Sequence, residues 1–537
     1  MLDQLSNPCF VLELPLTIDS AGAKRLERDF EFGRQLWNAT LGEVLKRRSM
    51  MCASEEWSEV CVMPKGAKRT AAFKALSRDY GIAGASDFEK ILLNHSVKSG
   101  RKTQIHSDIK QVIADNLWRA YSRWIFEDGG RPRFKGKGHG LHSIRGKKNS
   151  TGITWKPETH TVRYGGVSYK VVIDRHDDYA LSAIRDPKDP SKFRKAKYCT
   201  IVRRNIRGKV RWFVQILLEG LPPVKIIPAP NTSRLAIDPS MQSMTLVTED
   251  GLVEKVRITP VADALGKEAR RTQRKMDRSR RATNPENFES NGVVKKGSKA
   301  WNKSKNYQKL QKTLAEEHRK VAAARKREHG RFINLLFQIA GRIRIEKNSW
   351  KAMQRGRYGR AVGRGAPGAF VMRLKSKAER AGSECMEIDP KKARPTQRDL
   401  LSGEFIKHEL SERRVRMGDT DLYIDRDVAA CVNLLFCDPE TGAYDAEGIE
   451  RFLEAVKQRW LDAGVIVKIE DAMRMPERAL RRVLGKGIPV SSAERLHQEA
   501  FQDLRRDVGT EEAPSSLCRA EEPATLLKPS GLKPGVV

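Results

Sequence analysis

Residues 234–258 hold three short apolar runs almost back to back: RLAID (234–238), MTLVTED (244–250) and LVEKVRI (252–258). Each is too short for a helix of ordinary length, and Glu249–Asp250–Gly251 supplies a hairpin turn between the second and third. Runs this close in sequence pair as neighbouring strands, so a sheet opens at 234.

The elements that follow fix how the sheet is completed. From 262 to 341 the chain reads as helical and basic, with about twenty Lys and Arg against about eight acids over 262–330. Then come a strand, RIRIE (342–346), and a Gly- and Arg-rich loop with Arg355, Arg357, Arg360 and Arg364. A helix at about 367–381, a strand ECMEI (384–388), a loop to about 420 and a helix opening in DRDVAACVNLLF (425–436) complete the series. Three meandering strands, an inserted helical block, then strand, helix, strand and helix is the wiring of an RNase-H-like nuclease domain.

Three acids stand at the positions such a domain needs. Asp238 closes the first strand, Glu346 ends RIRIE and Asp427 lies at the start of the last helix. Alone, an Asp at a strand end is a turn or cap residue, and an acid in a first helical turn merely suits the dipole. Together, on a domain of this wiring, they are expected to form a carboxylate set of the kind that holds two divalent ions about 3.5–4 Å apart for phosphodiester hydrolysis. Hard oxygen donors suit Mg²⁺ where Cys and His do not.

Upstream, CFVLELPL (9–16) reads as a strand and 20–50 as a helix with apolar Leu26, Phe30, Phe32, Leu36 and Leu41. A helix at about 107–127 carries Trp118, Tyr121, Trp124 and Phe126, an aromatic stripe read as core rather than as a base-stacking platform. It ends in GGRPRFKGKGHG (129–140), where Arg131, Arg133, Lys135 and Lys137 crowd a loop suited to phosphates. Runs such as VRYGGVSYKVVI (162–173) and VRWFVQILLEG (210–220) indicate a small barrel-like β domain, and the Pro-rich 221–233 a linker.

Charge narrows the partners. The 537 residues include 102 Lys and Arg against 67 Asp and Glu, a net +35, which points to a polyanion such as nucleic acid. No apolar run approaches the ~18–20 residues of a membrane span, and no secretion signal is read. Eight cysteines with no C-x-x-C pair suit a reducing cytoplasm, and no zinc site is expected.

At these residues the chain resembles the transposon-encoded RNA-guided nuclease TnpB and the compact type V CRISPR effectors. IEKNSWKAM (345–353) looks like the family's second nuclease motif and DRDVAACVNLL (425–435) like its third, with Asp427 as the metal ligand. GRPRFKGKG (130–138) is similar to a basic loop between the family's recognition lobe and its β-rich wedge. The resemblance implies a multidomain α+β protein: a first wedge strand (1–18), a helical recognition lobe (19–145), a β-barrel-like wedge (146–230) and a RuvC-like, RNase-H-like α/β nuclease domain (231–437). The last would contain the helical insert (262–341) and a zinc-less target-loading loop (390–420), and a C-terminal helical extension with a disordered end (438–537) would follow.

The implied partners are a guide RNA (a crRNA, with or without a trans-acting or locus-encoded RNA) and double-stranded target DNA, with no membrane. The implied location is the bacterial or archaeal cytoplasm, near the nucleoid. Asp238, Glu346 and Asp427 would be catalytic and bind Mg²⁺, while Arg131, Arg133, Lys135, Lys137, Arg278, Arg280, Arg281 and Arg426 would contact nucleic acid. Three departures stand out: Ser240 where the family commonly has Gly, Lys347 where it has Asp, and Ala429 where it has Asn. They leave open a guide-dependent DNA-binding protein that silences with little or no cutting. A nuclease or transposase acting without RNA is the third reading.

Overall fold

The structure, a computed structural model, describes residues 8–469 apart from 101–104, 128, 138–139, 224–228, 231, 242, 298 and 410, together with 491–492. The disordered C-terminal end expected past 508 lies outside these residues. Two compact units emerge.

The first unit takes the chain up to Pro228 together with Val261–Arg327 and Leu374–Ser383. Its N-terminal part runs β1 (Cys9–Thr17), α1 (Ser20–Cys52), α2 (Glu55–Val62), α3 (Ala67–Asp79), α4 (Ala85–Lys98) and α5 (Ser107–Phe126). Then follow β2 (Ser143–Arg145), β3 (Ile153–Lys156), β4 (Thr161–Tyr164), β5 (Val167–Val171), α6 (Asp178–Ile184), β6 (Ala196–Ile206) and β7 (Lys209–Glu219). Helix α1 starts where Asp19 accepts a hydrogen bond from the Gly22 N–H at 2.7 Å. Leu26, Phe30, Gly33, Trp37, Leu41 and Val44 recur at three- and four-residue spacings on its buried face. Of the α5 aromatics, Tyr121 is buried and Phe126 is exposed.

The strands order as β2-β6-β7-β1-β5-β4-β3, and β3 packs back against β6, so the sheet curls as the alternating pattern implied. Strand β1 pairs antiparallel with β7 from Cys9↔Glu219 to Leu16↔Trp212, burying Phe10, Leu12, Leu14 and Leu16. The β6–β7 hairpin turns on Arg207 and Gly208, both with positive φ. The short α6 was hidden from sequence by its flanking charged residues. Helix α7 (Pro260–Thr283) and the first part of α8 (Lys305–Ile339) bury Ala262, Val321 and Ala324 between them.

The second unit takes Ala229–Pro260, Glu328–Arg373 and the chain from Glu384. It contains β8 (Arg234–Pro239), β9 (Ser243–Thr248), β10 (Val253–Arg257), β11 (Arg342–Glu346), α9 (Trp350–Arg355) and α10 (Gly359–Gly365). Helix α11 (Pro367–Ala381) precedes β12 (Glu384–Ile388), α12 (Pro390–Ala393), β13 (Arg414–Arg416), β14 (Leu422–Asp425) and α13 (Arg426–Leu435). Helix α14 (Ala446–Asp462), β15 (Ile466–Lys468) and β16 (Ser491–Ser492) complete it. The main sheet orders as β12-β11-β8-β9-β10-β16; β8, β9 and β10 meander antiparallel, while β8, β11 and β12 run parallel.

Two stretches read as loops are partly ordered. The Arg-rich segment after Glu346 forms α9 and α10, because its glycines are interspersed with helix-tolerant Ala, Val and Arg. The 390–420 segment contributes α12 and β13, and β14 pairs with both β13 and β15. Beyond 438, Ile449, Phe452, Leu453, Val456 and Trp460 of α14 enter the same core as α13.

Asp29 on α1 is buried and accepts a hydrogen bond from the Tyr164 hydroxyl at 2.9 Å. Burial pushes its carboxyl above the usual Asp value of 3.8, against the pull of Tyr164, Arg25 and Arg28. Such a group favours folding fully below its unfolded pKa, and that contribution is lost as pH rises through the folded one. Asp29→Asn keeps an acceptor without the charge, so it should melt higher than the native chain at neutral pH. The gap should shrink as pH falls towards 4, as thermal melts across that range will report.

Candidate active site

One face of the second unit's sheet sets the geometry. Directly opposite residues on paired strands share a face. Ala236, Val247 and Val253 therefore form one row across β8, β9 and β10, and Asp238, Thr245 and Lys255 form the row two residues on. The first row is apolar and packs into the core with α13. The second is polar and lies at the N-terminal end of that helix, where Cys431 Sγ donates to the Thr245 carbonyl at 3.3 Å. Asp427 is one turn before Cys431 on the same helical face.

Glu346 joins from the parallel neighbour. Ile345 pairs with Ile237, so Glu346 and Asp238 are the next residues along adjacent strands, both at carboxyl ends. The carboxyl ends of parallel strands are where sheets of this class bind ligands. Asn348 Nδ2 donates to Glu346 Oε2 at 3.3 Å and orients it.

Asp425 and Asp427 divide the work at the helix start. Asp425 is buried and caps α13, its Oδ1 accepting from the N–H groups of Asp427 at 2.9 Å and Val428 at 3.3 Å. Asp427 is thereby released from capping. Its Oδ2 closes on Lys255 Nζ at 2.5 Å, with both side chains shielded, and its Oδ1 lies 3.9 Å from Arg426 Nη2. At the far end, Arg344, the β11 partner of Ala236, donates to the carbonyls of Leu435 at 2.7 Å and Cys437 at 2.6 Å. This cation satisfies carbonyls that the helix leaves unpaired.

The three acids feel one another. Asp238 retains some exposed surface, yet it is hemmed in closely enough that desolvation raises its pKa well above 3.8, followed by repulsion from Glu346 and then Asp427. Lys255 and Arg426 oppose the shift. Burial also raises the carboxyl of Glu346, with Asn348 working against it. Burial, then the negative charge of Asp238, pushes the Cys431 thiol up.

Among the described residues, no group of three or more His, Cys, Asp or Glu side chains has the spacing of a formed metal cage. The donor set nevertheless fits a hard divalent cation: three carboxylates, all oxygen, crowded so that positive charge relieves them. Lys255 supplies such a charge here. A cleft of about 380 Å³ opens beside the pair, lined by Ser240, Met241, Ser243, Lys255, Ala361, Arg413 and Asp427.

The departures from the family pattern have local explanations in two cases. Ser240 closes the β8–β9 turn, its Oγ 2.9 Å from both the Ser243 carbonyl and the Ser243 hydroxyl. Ala429 is buried in the α13 core. Lys347 is exposed, and its N–H continues the ladder to Ile388 at 2.9 Å.

The basic residues expected to grip nucleic acid fall in two groups. In the first unit, the 129–137 segment is pinned to α1: Arg34 Nη1 and Asn38 Nδ2 donate to the Lys135 carbonyl at 2.8 and 2.9 Å. The Lys135 ammonium lies 4.4 Å from the Trp37 ring and Arg131 5.7 Å from Trp124, while Arg133 and Lys137 are exposed. Arg280 lies over Trp301 at 4.8 Å and Arg281 over Phe288 at 5.7 Å, and Arg278 and Arg281 are both exposed. In the second unit, Arg426 donates to the Glu409 carbonyl at 3.0 Å.

Lys255, Arg344 and Asn348 were not anticipated. The VEKVR alternation was visible, but which face looks inward emerges only from its register with β9.

No protein-family model matches the chain, and no curated protein matches it. Among solved structures, it is similar to one described as a Cas12f1–sgRNA–target DNA complex, with 11% identity, a TM-score of 0.41 and coverage of 80% of this chain and 98% of that one. A CRISPR–Cas12f ternary complex gives 13% identity, a TM-score of 0.26 and coverage of 79% and 86%. Likenesses this distant decide nothing about chemistry, which rests on the residues above.

Asp425→Ala should destabilise the chain by about 1–2 kcal/mol through loss of the cap. Asp425→Asn, which keeps an acceptor, should recover most of that loss in denaturant melts. Equal loss in both variants would show that the charge of Asp425 matters more than its cap.

Proposed function

We propose that this chain is an RNA-guided DNA endonuclease of the TnpB and compact type V kind, cutting at one RuvC-like site. The observation that carries the reading is the placement of Asp238 and Glu346 at adjacent parallel strand ends, with Asp427 at a helix start held on Lys255 of the same polar row. The strand order supports it, with an antiparallel meander on one side of β8 and parallel strands on the other.

Asp238, Glu346 and Asp427 would hold two Mg²⁺ ions. When bound, these polarise the scissile phosphate and lower the pKa of water. The chain's own residues prepare the site. Asn348 orients Glu346, Asp425 takes the capping duty from Asp427, and Arg344 fixes the far end of α13. Arg413, exposed on the cleft, is suited to a backbone phosphate.

The partners in this reading are a guide RNA and double-stranded target DNA. Base pairing reads the sequence, and the protein reads backbone shape and a short flanking motif. The N-terminal helices serve as the recognition lobe (19–145), the curled sheet as the wedge (1–18 with 146–230), and 231–437 as the nuclease domain with its basic insert (262–341) and loading loop (390–420). The net charge of +35 suits this burden of phosphates, and among the described residues no helix is long and apolar enough to cross a membrane.

A second reading has its own observation: Asp427 is engaged by Lys255, as in a guide-dependent binder that blocks transcription with little or no cutting. One experiment separates the two. Purified protein with its co-purifying RNA is offered matched DNA and Mg²⁺, and Asp238→Ala, Glu346→Ala and Asp427→Ala are compared. Nuclease function requires each variant to lose about a thousandfold or more in cleavage while still binding target. Tight binding without nicks in the native chain, with silencing in cells unaffected by Asp238→Ala, selects the binder. Absence of any discrete co-purifying RNA would remove both.

A further inference from the structure

Lys255 lies in the middle of β10, an alternating strand whose Val253 packs beneath α13 and whose Arg257 is exposed. Between them, register with Thr245 brings Lys255 into the same row as Asp238. Its ammonium meets Asp427 at 2.5 Å, with only 12% of its side chain and 13% of that of Asp427 exposed. An ion pair this shielded gives up hydration on both sides, and hydrophobic replacements are often no less stable, so stability alone is a weak reason for it. The lysine also stands close enough to Asp238 to counter its repulsion by Glu346 and Asp427.

We infer that Lys255 is a built-in counter-ion that occupies the cation position at Asp427 until a divalent ion binds, and must yield that carboxylate to it. The inference rests on the reading of Asp238, Glu346 and Asp427 as cation ligands. The geometry permits the exchange. Lysine carries its charge on a flexible four-carbon stem, and the adjoining cleft presents Ser240 and Ser243 beside it. Guanidinium, with its fixed fork, would be harder to dislodge from a carboxylate. Metal loading thus becomes a competition: Lys255 offsets the mutual repulsion of the acids, and weakens apparent metal affinity by doing so.

Titration of the full chain with Mn²⁺, followed by electron paramagnetic resonance of the free ion and by thermal melts in EDTA, tests this. Lys255→Met should bind Mn²⁺ about tenfold more tightly than the native chain, about 1.4 kcal/mol. It should melt lower in EDTA, with the gap closing at saturating Mn²⁺. Lys255→Gln, which can still donate to Asp427, covers the case in which the Met variant fails to fold and should tighten binding in the same direction. Lys255→Arg should bind Mn²⁺ no more tightly than the native chain.

Equal or weaker Mn²⁺ binding by both neutral variants would overturn the inference. Where the Lys255 variants show no tightening but the native chain binds Mn²⁺ and Asp238→Asn does not, the carboxylate reading stands and only the role of Lys255 is removed. If neither the native chain nor any Lys255 variant binds Mn²⁺, both fall together.

Discussion

Everything in the candidate site depends on how α13 is fastened across the sheet. Its start is fixed by Asp425, whose carboxylate takes two backbone N–H groups, and its end by Arg344, whose guanidinium takes carbonyls beyond the last turn. Between them, Val428, Cys431, Val432 and Leu435 fill the core against Ala236 and Val247. With both ends and one face committed, the helix has no freedom to slide. Asp427 is therefore delivered to the polar row on β8, β9 and β10, where it meets Lys255 and adds to the repulsion felt by Asp238.

The charge at Asp238 differs from that of acids which stabilise a fold. Acids that stabilise a fold have hydrogen bonds or cations that lower their pKa, as at Glu31, where Arg34 holds the carboxyl below its usual value. Asp238 shows the opposite, with desolvation and two like charges pushing upward. Strongly perturbed, converging carboxylates are functional-site candidates. The large positive charge elsewhere is less uniform in purpose than composition suggests. Arg48 lies over Trp57 and Trp124, Lys135 over Trp37 and Arg280 over Trp301, so part of it packs on aromatic faces. Arg131, Arg133, Lys137, Arg278 and Arg281 are the exposed members of the sequence-derived set.

The strands and helices that frame the acids were legible because their signals are local. RLAID, MTLVTED and RIRIE each fit one strand, and short turns leave few ways to pair the first two. The positions of Asp238 and Glu346 at strand ends followed directly. Lys255 was not legible, since a lysine in an alternating strand reads as solvent-facing unless the register is known. Arg344 was hidden for the same reason: RIRIE displays its arginines as an outer face, whereas one of them satisfies a helix end about ninety residues away in sequence. Strand β14 was absorbed into the helix motif because Asp425 serves both, as the last residue of LYID and as the cap of α13.

The 390–420 segment is drawn together in part by side-chain hydrogen bonds. Asp399 accepts from the N–H groups of Leu401 at 2.9 Å, Ser402 at 2.8 Å and Gly418 at 2.9 Å, drawing together residues nineteen apart. Asn433, fully buried on α13, donates to the carbonyls of Pro395 at 2.9 Å and Arg398 at 2.8 Å, and accepts from Arg398 at 3.1 Å. An amide that meets this many partners away from water orders what it touches. Asn433 and Asp427 are six residues apart on one helix, roughly 9 Å along its axis at 1.5 Å per residue. The loop's anchor and the acid thus ride on one rigid rod, and neither can shift along the sheet without the other.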